Sequence, residues 1–400
     1  MQHRSRNFIL LSCLAGLAAA CSDNHSANAA QGLPPGGGGG DSALQKTMAA
    51  PAPAGEAALN VEILAEGLVN PWSISFFPDN LILVTEVTGD IRAIRDDRLL
   101  PNPIPGGPPV FYQYQGGLFD IIPHPDYKTN GTIFLTYAHG IMKANALRVA
   151  RANFDGQEIT NLEVIYEATP LKDTGHHFGG RIVWGPDDKL YVTIGEGSRY
   201  KEKAQDMATS FGAVIRINED GSIPDDNPDF GEGARPELYS KGHRNPQGLT
   251  YDSARGIFWE HEHGPRGGDE INIIEPGANY GWPVATYGMD YNGARITPFT
   301  EYKGTKQPFK YWTPSIAPSG LAVYHGDLFE GWNGDLLVGA LKLKALHRVV
   351  MDGDKEVGEE RYLIGERIRD VRVGPDGAIY VTTEDRSGKP VGKLLRLTPQ

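Results

Sequence analysis

A short apolar strand, a Pro/Asp/Gly turn and a second apolar strand with a polar end recur along this chain. The phrase runs through Trp72–Glu86, Gly117–Tyr137, Gly180–Glu196, Gln247–His261, Ser319–Ala340 and Arg369–Glu384. Its turn is almost identical in two distant copies, Gly185-Pro186-Asp187 and Gly374-Pro375-Asp376. A repeated unit of this kind cannot bury both of its faces alone, so successive copies must stack on one another. For short strands the stacked solution is a ring, and six copies predict an all-β, six-bladed β-propeller with four-stranded antiparallel blades. In such a ring the strand ends of all blades meet at a common face, and residues far apart in sequence can build one site.

Composition agrees with this class. The 400 residues include 50 glycines and 29 prolines, and long stretches of helical periodicity are missing, which favours strands joined by turns. One large domain over residues 59–400 is expected. Ahead of it, residues 1–21 read as a signal peptide: Arg4 and Arg6 precede an apolar run from Phe8 to Ala20. Leu17 to Cys21 resembles a loose lipoprotein signal, so the expectation is an exported protein of the periplasm or cell envelope, lipid-anchored through Cys21. Ordinary cleavage near Ala20 or Ala30 is the alternative. Both cysteines, Cys13 and Cys21, lie in this segment, which leaves the fold no disulfide. Residues 22–58, with Gly36 to Gly40, read as a flexible Ala/Gly/Pro-rich linker.

The formal charge of −12 excludes nucleic acid as a partner, because that function needs a basic footprint. The acidic run Asp225–Asp229 lacks the order of a calcium loop and reads as a solvated turn. Against this background, cationic and imidazole groups stand at strand ends: His176 and His177, Lys241 to Asn245, Lys342 and Lys344, Arg367 and Arg369. A ring would bring them to one mouth suited to an anionic ligand. The bland alternative is that each pairs with a neighbouring carboxylate. His176 and His177 would point to opposite sides of an extended segment, so one of them is available as a general base. His261 and His263 have the spacing of a metal pair but no third ligand, and read as satisfied surface histidines near a strand end. Nucleophile-elbow, zinc-protease, phosphate-loop and dinucleotide-binding motifs are absent from the sequence.

The motifs Gly242-His-Arg-Asn-Pro-Gln-Gly248, Glu262-His-Gly-Pro-Arg-Gly-Gly-Asp-Glu-Ile-Asn272 and Asn279-Tyr-Gly-Trp-Pro283 resemble those of the soluble PQQ-dependent aldose sugar dehydrogenases, the glucose/sorbosone type. Weaker matches at Gln115–Leu118, His177–Arg181, Ala317–Gly320, Gly339–Lys342 and Arg367–Asp370 extend the resemblance from about residue 60 to the C-terminus. It implies oxidation of the anomeric carbon of an aldose to a lactone, hydride passing to PQQ. His177 matches the general base, and Arg244 and Asn245 match contacts to the quinone oxygens. Gln115, Tyr291, Lys342, Arg367 and Arg369 match further PQQ contacts. Gly264 and Pro265 match backbone ligands of a calcium ion beside PQQ, and Glu270 and Tyr280 match a separate structural calcium site, Tyr280 through its backbone oxygen. His176 departs from the glucose enzymes, some of which carry Asp there, and the aromatic run at Tyr311 and Trp312 does not align with them; the broad-specificity aldose branch is the nearer match.

The resemblance also implies an aldose substrate and an external electron acceptor, a quinone or a cytochrome, in a monomer or homodimer. No haem-attachment motif is present to serve as an internal acceptor. Two rivals stand beside this reading: a calcium-dependent lactonase on a similar propeller, using metal-bound water, and a non-catalytic extracellular binding propeller. The first would not need the cationic set, and the second predicts an incomplete site, whereas His177, Arg244 and Lys342 are all present.

Overall fold

The computed structural model describes residues 59–400, so the signal peptide, Cys21 and the linker expected over 1–58 lie outside the described residues. The remainder forms six four-stranded antiparallel sheets. Blade 1 comprises Pro71–Phe77, Leu81–Glu86, Ile91–Arg95 and Arg98–Leu99, and blade 2 Leu118–Pro123, Thr132–Ile141, Ala144–Phe154 and Ile159–Glu167. Blade 3 comprises Gly179–Trp184, Leu190–Ile194, Ala213–Ile217 and Leu238–Lys241, and blade 4 Pro246–Asp252, Ile257–Glu262, Asp269–Ile274 and Lys310–Trp312. Blade 5 comprises Pro318–Val323, Leu336–Ala340, Ala345–Asp352 and Lys355–Leu363. Blade 6 takes Arg367–Val373, Ile379–Glu384 and Pro390–Pro399, and borrows its outermost strand, Leu59–Val69, from the other end of the chain. The first strands of neighbouring blades touch one another around the ring, which makes them the inner strands. This is the six-bladed β-propeller expected from the repeats.

Apolar side chains alternate along the strands and fill the six spaces between blades. Leu83, Ile121 and Leu135 pack between blades 1 and 2, and Phe134, Val192 and Ile215 between blades 2 and 3. Val214 and Phe258 join blades 3 and 4, Trp259 and Val338 blades 4 and 5, Leu337 and Val371 blades 5 and 6, and Leu68 and Val84 close blade 6 onto blade 1. Each face of a blade is thereby covered by its neighbour, which is how a ring solves the problem of a repeat with two apolar faces.

Every inner strand loses register near its first residues, for example between Pro71 and Ser73, Gly179 and Ile182, and Pro246 and Gly248. The same break occurs at Leu118, Pro318 and Ile368. A bulge there re-aims the side chains that follow the incoming loop. One end of the ring is consequently built from irregular backbone. Among the described residues no helix is long and apolar enough to cross a membrane.

Candidate active site

A cavity of about 350 Å³ opens at that end, and every blade contributes to its wall through the start of its inner strand: Asn70, Gly116, Gly179, Asn245, Ala317 and Arg367. Gln115, Tyr291 and Arg369 line it as well. Of the residues expected to contact PQQ, Gln115, Asn245, Tyr291, Arg367 and Arg369 therefore converge on one space. Lys342 is exposed beside Leu341, which lines the wall.

His177 lies behind Gln115. Its backbone N–H donates to Gln115 Oε1 at 2.8 Å, and its carbonyl accepts from Gly197 N at 3.2 Å. The backbone here is not extended, as the sequence reading assumed, because His177 sits in the left-handed region with φ of 49°. That turn, rather than strand alternation, separates the two imidazoles. His176 stays partly exposed against the Tyr114 ring, while His177 is buried with Nδ1 2.9 Å from Glu196 Oε1. Burial, then the charges of Arg244, Lys172 and His176, hold the His177 pKa well below the usual imidazole range, so the ring is neutral at pH 7. Burial lifts Glu196 to about 7 against the opposing pull of Arg244. Gly195 allows this approach: a Cβ there would meet the His177 carbonyl at 2.4 Å.

The cationic set divides in two. Arg367 and Arg369 share Glu384 at 3.1 and 2.9 Å, as the bland alternative anticipated. Burial raises the Glu384 pKa, but the two guanidinium groups outweigh it and hold the carboxyl below its usual value. Arg244 is different: it donates to the carbonyls of His263 and Gly264 at 2.9 and 3.0 Å, and among the described residues no carboxylate comes within ion-pair distance of it. Its charge remains available to an anion. The Gly264 carbonyl, expected to hold calcium, thus already faces a cation.

Asp269 shapes this corner. It accepts from Gly264 N at 2.9 Å, and from Ser315 Oγ, Ile316 N and Ala317 N at 2.7 to 2.9 Å. Beside it, Glu270 is buried near Glu262 and Glu260, and the ligand atoms of His243, Glu260 and Glu262 lie within 4.8 Å of one another. Burial, then repulsion from Glu262, pushes Glu260 and Glu270 well above the carboxylate range. Glu260 Oε1 and His243 Nδ1 have no hydrogen-bond partner. Carboxylates crowded together, with a single imidazole, His243, 3.5 Å from Glu262, suit a hard divalent cation. The Tyr280 hydroxyl is engaged by Ile273 O and Glu275 N, which leaves its carbonyl as the group to offer a metal.

One further expectation needs correction. His261 and His263 are not surface residues: His261 is fully buried and His263 half-buried at the cavity wall, and their Nε2 atoms lie 3.0 Å from Gly320 O and 2.6 Å from Pro318 O of blade 5. Each is turned toward the next blade, whose carbonyls meet their Nε2 atoms, while His261 Nδ1 stays without a partner. The acidic turn is exposed at Asp225, Asp226 and Asp229, as expected of a solvated turn, and from it Asp226 and Asn227 also hold Arg216 Nη1 at 2.7 and 2.9 Å. Glu196, Glu262, Asp269 and Lys172 escaped sequence reasoning. For Glu196 and Glu262 a signal existed, since both stand where the repeat's second strand ends.

Residues 68–396 match the family described as Glucose / Sorbosone dehydrogenase. The chain is 40% identical to the aldose sugar dehydrogenase YliI of Escherichia coli over 87% of this chain and 95% of that protein. It is 29% identical to the quinoprotein glucose dehydrogenase B of Acinetobacter calcoaceticus, over 82% of this chain and 85% of the relative. The PQQ-bound structure of an aldose sugar dehydrogenase from Streptomyces coelicolor superposes with a TM-score of 0.67 at 25% identity, covering 86% of this chain and all of that one.

Proposed function

The chain belongs to the glucose/sorbosone dehydrogenase family, and on that premise we propose that it oxidises the anomeric carbon of an aldose to a lactone with PQQ and calcium. The observation that carries this reading is a neutral, buried imidazole backed by a carboxylate, His177 Nδ1 to Glu196 Oε1 at 2.9 Å, beside a cavity bordered by arginines. When bound, PQQ supplies the two-electron acceptor for hydride from the sugar, and calcium supplies a Lewis acid at its carbonyl. Gln115, Asn245, Tyr291, Lys342, Arg367 and Arg369 would hold the cofactor. The carbonyls of Gly264 and Pro265 would hold the neighbouring calcium, and Glu270 with the Tyr280 carbonyl a structural one.

The chain's own part is proton transfer and charge placement. His177 Nε2 takes the proton of the anomeric hydroxyl as the carbon gives up hydride, and Glu196 stabilises the imidazolium that results. Arg244, free of a carboxylate partner, places positive charge where negative charge develops. Electrons then leave for a separate acceptor, a quinone or a cytochrome. Export through residues 1–21 and anchoring at Cys21 belong to the same proposal, and mass spectrometry of the mature N-terminus tests them.

His177→Ala should retain the absorbance change on reconstitution with PQQ and calcium, while aldose-dependent dye reduction falls by about 10²–10⁴-fold, the usual worth of a positioned base. Near-normal turnover would remove His177 from the role. If wild-type apoprotein gives no quinone absorbance change with PQQ and calcium, the lactonase reading takes precedence.

A further inference from the structure

Two of the cationic residues assigned to the cofactor, Arg244 and Lys342, come from different loops, yet their hydrogen bonds lead back to one carboxylate. Asp269 begins the third strand of blade 4 and is fully buried. Its Oδ1 accepts from Gly264 N at 2.9 Å, and the carbonyl of that same peptide unit, His263 O, accepts from Arg244 Nη1 at 2.9 Å. Its Oδ2 accepts from Ala317 N at 2.9 Å, and the carbonyl of that peptide unit, Ile316 O, accepts from the Lys342 amide at 3.1 Å. Each oxygen thus grips the N–H end of a peptide whose other end holds a cationic residue, the guanidinium of Arg244 in one case and the backbone of Lys342 in the other. Ile316 N at 2.8 Å and Ser315 Oγ at 2.7 Å complete the second grip.

A buried carboxylate without a cationic partner is costly unless its lone pairs are filled. Among the described residues no Lys, Arg or His comes within ion-pair distance of Asp269, and three amides with one hydroxyl do the filling. Hydrogen bonds in series polarise one another, so the charge on Asp269 strengthens the hold of His263 O on Arg244. The two carbonyls to which Arg244 donates belong to the two residues joined by the peptide that Asp269 fixes. The chain is shaped for these contacts: a Cβ on Gly264 would meet Gly268 O at 2.2 Å, and Ala317, on the cavity wall, is held at a φ of 55° where alanine rarely sits. We propose that Asp269 is a positioning residue for the cofactor: one buried carboxylate fixes the places of Arg244 and Lys342 through one peptide unit each. This rests on the reading of the corner as the PQQ and calcium site.

The first test needs no cofactor. In apoprotein, Asp269→Ala removes both grips, and hydrogen–deuterium exchange read by mass spectrometry should quicken in 263–268 and 315–317 and also in 341–344, while 190–194 in blade 3 stays as in the wild type. Unchanged exchange in 341–344 overturns the inference. Quickening throughout the ring would mean that this variant has lost the fold, and Asp269→Asn then decides. The second test follows PQQ binding by absorbance at saturating calcium without sugar. An asparagine oxygen can serve Ser315 to Ala317 while its NH2 group faces Gly264 N, so Asp269→Asn releases the Arg244 side alone and should weaken PQQ about tenfold, the worth of one charge-assisted contact. In an Arg244→Ala background the same change should cost under about twofold, because the loss acts through Arg244. A role in stability alone would give equal factors in both backgrounds; that result, or wild-type affinity in Asp269→Asn, overturns the inference. If wild-type apoprotein binds no PQQ, the functional reading falls, and the exchange result alone decides whether Asp269 holds both loops.

Discussion

Four blades end their second strand, or follow it closely, with a buried glutamate, and each of these carboxylates has a different employment. Glu86 takes the amide of Val69 at 2.7 Å and helps fix the closing strand. Glu196 orients His177, Glu384 gathers Arg367 and Arg369, and Glu262 accepts the amides of Arg244 and Asn245. The last also faces Glu260 and Glu270, and a divalent ion among them would relieve their repulsion. Millimolar calcium should therefore raise the Tm of the wild-type apoprotein; a ligand at a hundred times its Kd stabilises by about 2.7 kcal/mol. Glu270→Gln should lose most of that shift in differential scanning fluorimetry with and without chelator, and an unchanged shift would put the ion elsewhere. His177 and Arg244 were legible because they sit inside specific motifs. The carboxylates behind them were not, since a Glu at a strand end usually reads as solvated; only the third dimension brings Gly195 against His177 and closes water away from Glu196. Lys172 carried no motif at all.

At the scale of elements, the paired inner strands of all six blades were readable because their period and turn chemistry repeat. The outer strands were not. Arg98–Leu99 and Lys310–Trp312 are too short to carry an alternating pattern. The closing strand, Leu59–Val69, gives no local sign that its partner is Pro390–Pro399, since Leu59 pairs with Pro399 across the whole length of the domain. Closure by the first described strand makes the two ends of the domain hold one blade together. Leu68 is fully enclosed with Ile74, Val84 and Leu394 at this seam. Leu68→Ala should cost about 2–5 kcal/mol in urea unfolding, as other core truncations do. Hydrogen exchange should quicken in Leu59–Val69 and Pro390–Pro399 before the blades opposite; uniform quickening around the ring would mean that the seam is no weaker than any other interface.

For the whole molecule, the axis holds a polar network that ties the blades together beneath the site. Arg181 of blade 3 lies 2.8 Å from Asp370 of blade 6 and 3.6 Å from Asp120 of blade 2, and donates to Gln247 O of blade 4 at 2.8 Å. Its guanidinium rests 4.0 Å above the Trp72 ring of blade 1, and Arg372 lies 3.3 and 3.1 Å from Asp120 and Asp370. Asp370 also accepts from Ile74 N, and Asp120 from Ile182 N. Blade 5 joins through Ser319, which donates to the Arg369 carbonyl at 2.6 Å. Apolar packing acts between neighbouring blades only, whereas this network links blades on opposite sides of the ring. Removing one member strands buried charge, which typically costs about 3–5 kcal/mol. Arg181→Met should accordingly lower stability by that amount. The double variant Arg181→Met with Asp370→Asn should lose less than the sum of the two single changes, because residues in one network do not contribute independently. A double-mutant cycle in urea checks this: strict additivity would mean that Arg181 and Asp370 act separately and that the ring is held by its six apolar seams alone.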